Sequence, residues 1–466
     1  MPQLRGMTWR VGVVWVSEVV GGVGGGWVDP FWDGVWGPSR RVDWVSFSEA
    51  KRLEGAGLAR LHARWDVDPV VALRRVLHPR NLGLSLDALG VVNQWRTVTV
   101  EQLGRLTGRS RLGVVSKDGE SLVAALFAAG LVEFGLPRWP LARLTSFHPG
   151  EVLLRPAQSS VFGRLVAPLL THPELVRVTG GVDFRQGRQA DRHNVLAVEL
   201  GLRAAELCDV SAVLGELLSS VDLLAFSGLG RVPVAGLQSA ADVTLVRSDG
   251  LRVALEVTAS VGSNFERKVD AWARTLRDTP FESSGLVVVF VDASSPEQAD
   301  RPGRSVGYYV RKAVQSAGMR FPGSARDRVS DRMFVVSWRD LFPARGVVSD
   351  RFVPLTCERP SGLGDRLWER VDVLDAFEFP LPVGVDSGGL LSVVGAARCV
   401  AGNPVVCEER FVVEPPDLGG VRCGVSGLVP FPVPVLPGGG VRRRVVGEAW
   451  GFAGEVRPLG RLRSGR

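Results

Sequence analysis

The stretch ADVTLVRSDGLRVALEVT, residues 241–258, decides the fold. Two runs rich in Val and Leu flank Ser248-Asp249-Gly250, and Asp-Gly between such runs is a strong hairpin signal. Asp242 and Glu256 lie equally far from a turn centred on Asp249, so the hairpin sets them opposite each other. Opposed strand positions place their Cβ atoms about 4.5–5.5 Å apart on one face. Two carboxylates held that close repel unless a cation sits between them, and hard oxygens at that spacing suit Mg2+ or Mn2+. Such a site activates water and offsets charge on a scissile phosphate. The plainer reading is a pair of ordinary hairpin residues on an exposed face.

The elements around the hairpin follow a regular pattern. HNVLAVELGLRAAELC (193–208) predicts a helix and SAVLGELLSS (211–220) a second one. VDLLAFSG (221–228) and GLQSAADVTLVRS (236–248) predict strands, and LRVALEVTAS (251–260) the strand that closes the hairpin. SNFERKVDAWARTLRD (263–278) predicts a helix, with Phe265, Val269, Trp272 and Leu276 within about 60° of one another. The fully apolar Leu286–Val291 predicts a buried parallel strand reached by a right-handed crossover. The unit reads αβββαβ. Lys268 lies about 60° to one side of the apolar stripe, so it borders the sheet. Only four of the 56 basic residues are Lys (Lys51, Lys117, Lys268 and Lys312), and a lysine kept where Arg is the default offers a smaller, more titratable ammonium. The plainer reading pairs Lys268 with Glu266 or Asp270 at the surface. Glu199 and Glu206, seven apart on the first helix, are candidate third acids or simply solvated helix residues.

Upstream, SFSEAKRLEGAGLARLHARW (46–65) and DPVVALRRVL (68–77) predict helices. LSLDALGVVNQW (84–95) carries apolar residues at helical spacing. In TVTVEQLGRLTGRS (97–110), Thr99 is the expected N-cap, Leu103 and Leu106 face inward, and Gly108 ends the helix. SKDGESLVAALFAAGLVEFG (116–135) starts from a Ser cap, buries Leu122, Leu126 and Phe127, stops at Gly130 and continues into a strand over Leu131–Phe134. This order predicts a winged helix-turn-helix over 46–145 whose last helix enters a DNA major groove. Arg109, Arg111, Ser116 and Lys117 are the expected DNA contacts, with Arg138 and Arg143 on the wing side. Asp118 and Glu120 oppose phosphate contact, and many winged helices only join proteins.

The remaining segments say less. Residues 1–45 hold six of the 13 Trp among many Gly, which reads as a poorly ordered tail or a start codon assigned too early; a base-stacking platform is the alternative. RLVAPLLTHPEL (164–175) reads as helical, and VTGGVDFRQGRQADRH (178–193) as a polar loop at a domain boundary. The core is expected over 190–342, with SVGYYVRKAVQSAG (305–318) and RMFVVSWRDLF (332–342) extending its sheet. Residues 345–466 are rich in Pro, Gly and Val, with PFPVPVLPGGG at 430–440, Arg442–Arg444 and a basic end, RPLGRLRSGR.

Net charge is +7 on 466 residues, which permits nucleic-acid binding without requiring it. Five Cys without a CxxC pair argue against a zinc finger, and free thiols in a reducing cytosol are expected. The sequence shows no signal peptide, no apolar run long enough for a membrane span and no Walker loop, and five scattered His give no Ser/His/Asp triad.

The element order resembles the PD-(D/E)XK nuclease superfamily, with departures. The superfamily's Pro is Ala241, and the lysine two places after Glu256 is Thr258. Some members of that superfamily supply the lysine from the following helix, which makes Lys268 the candidate here. Together, the winged-helix segment, the helix at His193 and the motifs "AD-TLV", "ALEVT" and "KV-AW" resemble the replication-relaxation family of actinobacterial plasmids, phages and integrative elements, over about residues 81–340. The resemblance implies an α/β, multi-domain cytoplasmic protein. It implies binding of double-stranded DNA alongside replication or mobilisation proteins of the same element. It leaves open whether DNA is cleaved with Mg2+ or Mn2+ through Asp242, Glu256 and Lys268, or whether the chain is a non-catalytic replication or transcription accessory factor. A defence or toxin–antitoxin component is the third reading.

Overall fold

The computed structural model describes residues 29–32, 42–58, 65–107, 112, 121–136, 152–158, 160–179, 184, 191–216, 219, 241–295, 305–345, 347–361, 367–385, 405–406 and 451–453. Helices and sheets are mixed throughout.

The N-terminal half is built on helices and a small sheet. Strand β1 (Asp43–Val45) leads into α1 (Phe47–Gly55), whose first turn is capped by Ser46. Helices α2 (Pro69–Leu77) and α3 (Pro79–Trp95) each begin on a proline, where the missing N–H costs nothing. Strand β2 (Val98–Thr99) precedes α4 (Val100–Leu106). Thr99 caps α4 as expected, in a full capping box with Gln102. Helix α5 (Leu122–Ala128) starts from Ser121 and ends before Gly130, which sits at φ 70°. Strands β3 (Val132–Leu136) and β4 (Leu153–Pro156) form an antiparallel pair, giving a sheet of order β1-β3-β4-β2. The expected helix at 164–175 is broken: a π turn over Phe162–Val166 and a 3-10 turn over Ala167–Leu169 precede α6 (His172–Thr179). Pro168 and Pro173 remove the donors a continuous helix needs.

The second unit is an eight-stranded sheet. Helix α7 (Asp191–Leu207) is followed by β5 (Val210–Gly215), β6 (Val243–Arg247) and β7 (Arg252–Thr258), with β6 antiparallel to both β5 and β7. Helix α8 (Phe265–Asp278) and the short α9 (Phe281–Ser284) cross to β8 (Leu286–Asp292), which runs parallel to β7. Among the described residues the order αβββαβ is therefore present, but its first strand is not the expected one. The first half of SAVLGELLSS, expected to be helical, lies in β5. Val210, Ala212, Val213 and Leu214 are all buried, so the segment answers to a fully covered strand rather than a one-faced helix. The expected strand at 221–228 lies outside the described residues.

Helix α10 (Val306–Arg320) leads to β9 (Met333–Ser337), parallel to β8, and α11 (Trp338–Leu341) closes that strand. Part of the Pro/Gly/Val-rich region joins the fold. Strand β10 (Val347–Ser349) pairs with β14 (Gly451–Ala453), while β11 (Thr356–Pro360), β12 (Trp368–Asp372) and β13 (Val405–Val406) complete the sheet order β12-β11-β9-β8-β7-β6-β5-β13. On one face α8 and α10 pack on Ala254, Val288, Phe290 and Val335. On the other, Leu255, Val257, Val289 and Val291 join α7 and the helical unit in one continuous core. Trp95 is the wedge between the units: a Cβ on Gly201 or Gly215 would lie 2.9 or 2.8 Å from its ring.

Residues read as a poorly ordered tail also enter this core. Asp29 is fully buried and accepts from Arg203, and Phe31 stacks on Trp338 at 5.4 Å.

Candidate functional site

The register of the hairpin fixes the site. Val243 pairs with Leu255, so one step further sets Asp242 against Glu256, as the sequence spacing required. Both carboxylates are buried, Asp242 at 6% and Glu256 at 1% exposure. Buried carboxylates need partners, and all of them come from neighbouring elements. Asp242 Oδ2 accepts from the Val257 amide at 2.7 Å, across the mouth of the hairpin. Its Oδ1 meets Nε2 of His193, in the first turn of α7, at 2.7 Å. Glu256 Oε1 accepts from the Trp272 indole at 2.5 Å. Its Oε2, outside any aligned hydrogen bond, meets the ammonium of Lys268.

Lys268 thus reaches back to Glu256 from the helix after the hairpin. The apolar stripe explains why: Phe265, Val269, Trp272 and Leu276 are all buried against the sheet, which turns the adjacent Lys268 along the sheet edge. The side chains of His193 and Lys268 remain 22% and 32% exposed, so two cationic groups roof two buried acids.

Sequence reasoning missed two members. Gly215 pairs with Val243, so Glu216, just past the end of β5, falls near Asp242, just before β6, and the two continue a row that Glu256 completes on β7. Reading 211–220 as a helix concealed this row. His193 was visible only as the first residue of its helix, and one His carries no site signal alone. The expected third acid Glu199 is elsewhere: it is buried, accepts from Gln102 and pairs with Arg203. The side chain of Glu206 lies outside the described residues.

The environment sorts the charges. Burial alone would raise Asp242, but the charges of His193 and Lys268, the His193 hydrogen bond and the Val257 amide outweigh it and hold it at about 2. Glu256 is pushed up to about 8 by burial, and the contacts with Lys268 and Trp272 pull it down without cancelling that effect. Burial works to lower Lys268 and His193, yet Asp242 raises both, with Glu256 adding to the shift on each. Glu216 is raised by burial, against the opposing pull of Arg96. Asp242 is thereby the fixed anion of the site and Glu256 its proton-sharing partner.

Among the described residues no group of three or more His, Cys, Asp or Glu is arranged to hold a metal ion. The donor chemistry still fits a hard divalent cation. Mg2+ is commonly held by one or two carboxylates, with waters and substrate phosphate completing the shell. Asp242 and Glu256 supply that pair, and an ion there would take the place of the His193 and Lys268 contacts on Asp242 Oδ1 and Glu256 Oε2.

The expected DNA contacts Arg109, Arg111, Ser116, Lys117 and Arg138, with Arg143, all lie outside the described residues. Helix α5 itself is enclosed. Val123 to Ala128 are buried, Phe127 stacks on Phe134 at 3.9 Å and meets Phe47 edge-on at 5.5 Å. Its own described side chains therefore offer nothing to a groove. No helix among the described residues is long and apolar enough to cross a membrane.

Comparison of the chain with protein-family models, with curated proteins and with solved structures finds no match.

Proposed function

We propose that this chain acts on DNA phosphodiesters through a PD-(D/E)XK-like core, in the replication or mobilisation of a plasmid, phage or integrative element. One observation carries the reading. Asp242 just before β6, Glu256 in β7 and Lys268 in α8 converge at one buried place on the sheet within an αβββαβ order, although the position two places after Glu256 holds Thr258 and not a lysine. In this reading Asp242 and Glu256 hold Mg2+ or Mn2+. Such an ion would lower the pKa of a bound water and neutralise charge on the phosphate. Lys268, moving from Oε2 to a phosphate oxygen, offsets the negative charge that builds up during attack. His193 holds Asp242 in place, and Trp272 holds Glu256.

The N-terminal unit supports a DNA-associated role by its order alone. Helix, strand, two helices and a hairpin, with β2 lying against the return strand β4, is the order of a winged helix-turn-helix. Contacts would come from the segments flanking α5. The second reading is a non-catalytic accessory factor. Its support is that the two acids are already neutralised from within by Lys268 and His193.

Nicking of supercoiled plasmid by the full chain separates the two. The enzyme reading expects metal-dependent nicking by wild type that Asp242→Ala abolishes. If both proteins behave alike with Mg2+, Mn2+ and chelator, the accessory reading stands.

A further inference from the structure

We infer that Arg96 is the phosphate-binding cation of the candidate site, positioned by a strained turn and held by Glu216 until a nucleic-acid strand enters. The inference rests on the phosphodiester reading and adds a residue and a binding role to it.

Arg96 has φ 65° and ψ −53°, a conformation that costs an L residue energy. The amide of Thr97 donates to the Trp95 carbonyl at 2.7 Å across it, so Arg96 is the centre of a γ-turn of the rare, positive-φ kind. Gly would adopt this backbone more easily. The turn is fixed on both sides. Trp95 is wedged on Gly215, and Thr97 accepts from Asn194, next to His193. What the turn achieves is the direction of one side chain. Nε of Arg96 points to Glu216 at 3.7 Å, among the described residues the only acid in ion-pair range of it. Glu216 stands in the acid row beside Asp242. The guanidinium is therefore at the edge of the site, 21% exposed, on a contact longer than a good ion pair. A guanidinium has five donors in a planar fork, and one loose carboxylate contact leaves most of that capacity for a phosphate. The two cations, Lys268 in α8 and Arg96 after α3, then meet the row at its two ends, Glu256 and Glu216.

A merely structural Arg96 and a phosphate-binding one respond differently to Arg96→Gly. Glycine relieves the backbone, so the folded state survives either way. Binding of the full chain to a labelled duplex oligonucleotide is measured across several salt concentrations in the presence of Ca2+, with thermal melting alongside. The expected result is unchanged or raised Tm in Arg96→Gly, and in both Arg96→Gly and Arg96→Asn an affinity weakened roughly tenfold or more with a salt slope reduced by about one. Arg96→Lys should recover part of the affinity and all of the slope. Wild-type affinity and slope in both neutral variants would overturn the inference alone. A wild type that binds no DNA at any salt concentration would overturn the phosphodiester reading and this inference with it.

Discussion

Lys268 closes on Glu256 from the first turn of α8, ten residues beyond Thr258, where the superfamily pattern puts its lysine. Thr258 lies two places along β7 from Glu256 and so on the same face of the strand. Both routes lead an ammonium to the same carboxylate. If the charge at that point is what matters, its origin is exchangeable. Lys268→Ala should lower metal-dependent nicking by on the order of 10²-fold. Thr258→Lys in the Lys268→Ala background should restore a measurable part of it. Single-turnover nicking of all three proteins checks this, and an undiminished rate in Lys268→Ala removes the lysine from the chemistry.

The pH profile of stability follows from the same cluster. Glu256 stands at about 8 against an ordinary 4.5, so between those values the folded chain holds a proton the unfolded chain has lost. Stability therefore declines as pH rises through that window. His193 acts in the same sense: raised above 6.5, its contribution is complete below that value and is lost as pH climbs past the folded one. Asp242, at about 2 against 3.8, contributes fully above 3.8 and loses its effect on acidification toward 2. In chelator, Tm should fall from about pH 5 to about pH 8. Glu256→Gln should flatten that decline, leaving the part due to His193, Glu216 and Asp191, all raised in the folded chain. A wild-type Tm that rises across this range contradicts the assignment of Glu256.

Trp272 tests how far the acids depend on the helix behind them. It is fully buried, and its indole is the aligned donor to Glu256 Oε1. Phenylalanine keeps most of the volume and removes the donor. A buried acceptor left without its partner costs about 1–3 kcal/mol. Trp272→Phe should lose about that much in urea denaturation, and the loss should shrink when Glu256 is already Leu, which offers no acceptor. Equal losses in the two backgrounds would mean that Trp272 acts by packing alone.

Much of this edge was legible before the structure. The hairpin register followed from Asp249-Gly250, and the stripe on 265–276 turned Lys268 toward the sheet, because both depend on local periodicity. Glu216 was not legible. VSAVLG carries apolar residues that suit either a helix or a covered strand, and only the pairing of β5 with β6 decides between them. His193 was hidden for a related reason: it reaches Asp242 through the packing of α7 on the sheet. The helix expected in a DNA groove is a different case, since its expected contact residues lie outside the described ones. Its apolar stripe was read correctly, but α1 and α2 bury what the pattern left as an outer face.

Asp29 is the last case, since composition argued for disorder around it. WVDPFW places a fully buried Asp29 against Arg203, itself 1% exposed, with Oδ1 accepting from the amides of Phe31 and Trp32. Arg203 also pairs with Glu199, and Gln102 donates to Glu199, so the segment is tied through α7 to α4. Removing one member of a buried ion pair leaves its partner uncompensated, at about 3–5 kcal/mol. Asp29→Ala should therefore destabilise the chain by about that amount in urea denaturation. An exposed acid such as Glu49, 47% accessible and only loosely paired with Arg52, should cost about 0–1 kcal/mol when replaced by Ala. The two substitutions differ in burial, so equal small losses would show that residues 29–32 do not hold the core together. A large loss for Asp29→Ala alone would make this short segment part of the folding unit that carries His193, because Asp29 grips Arg203 on the same helix.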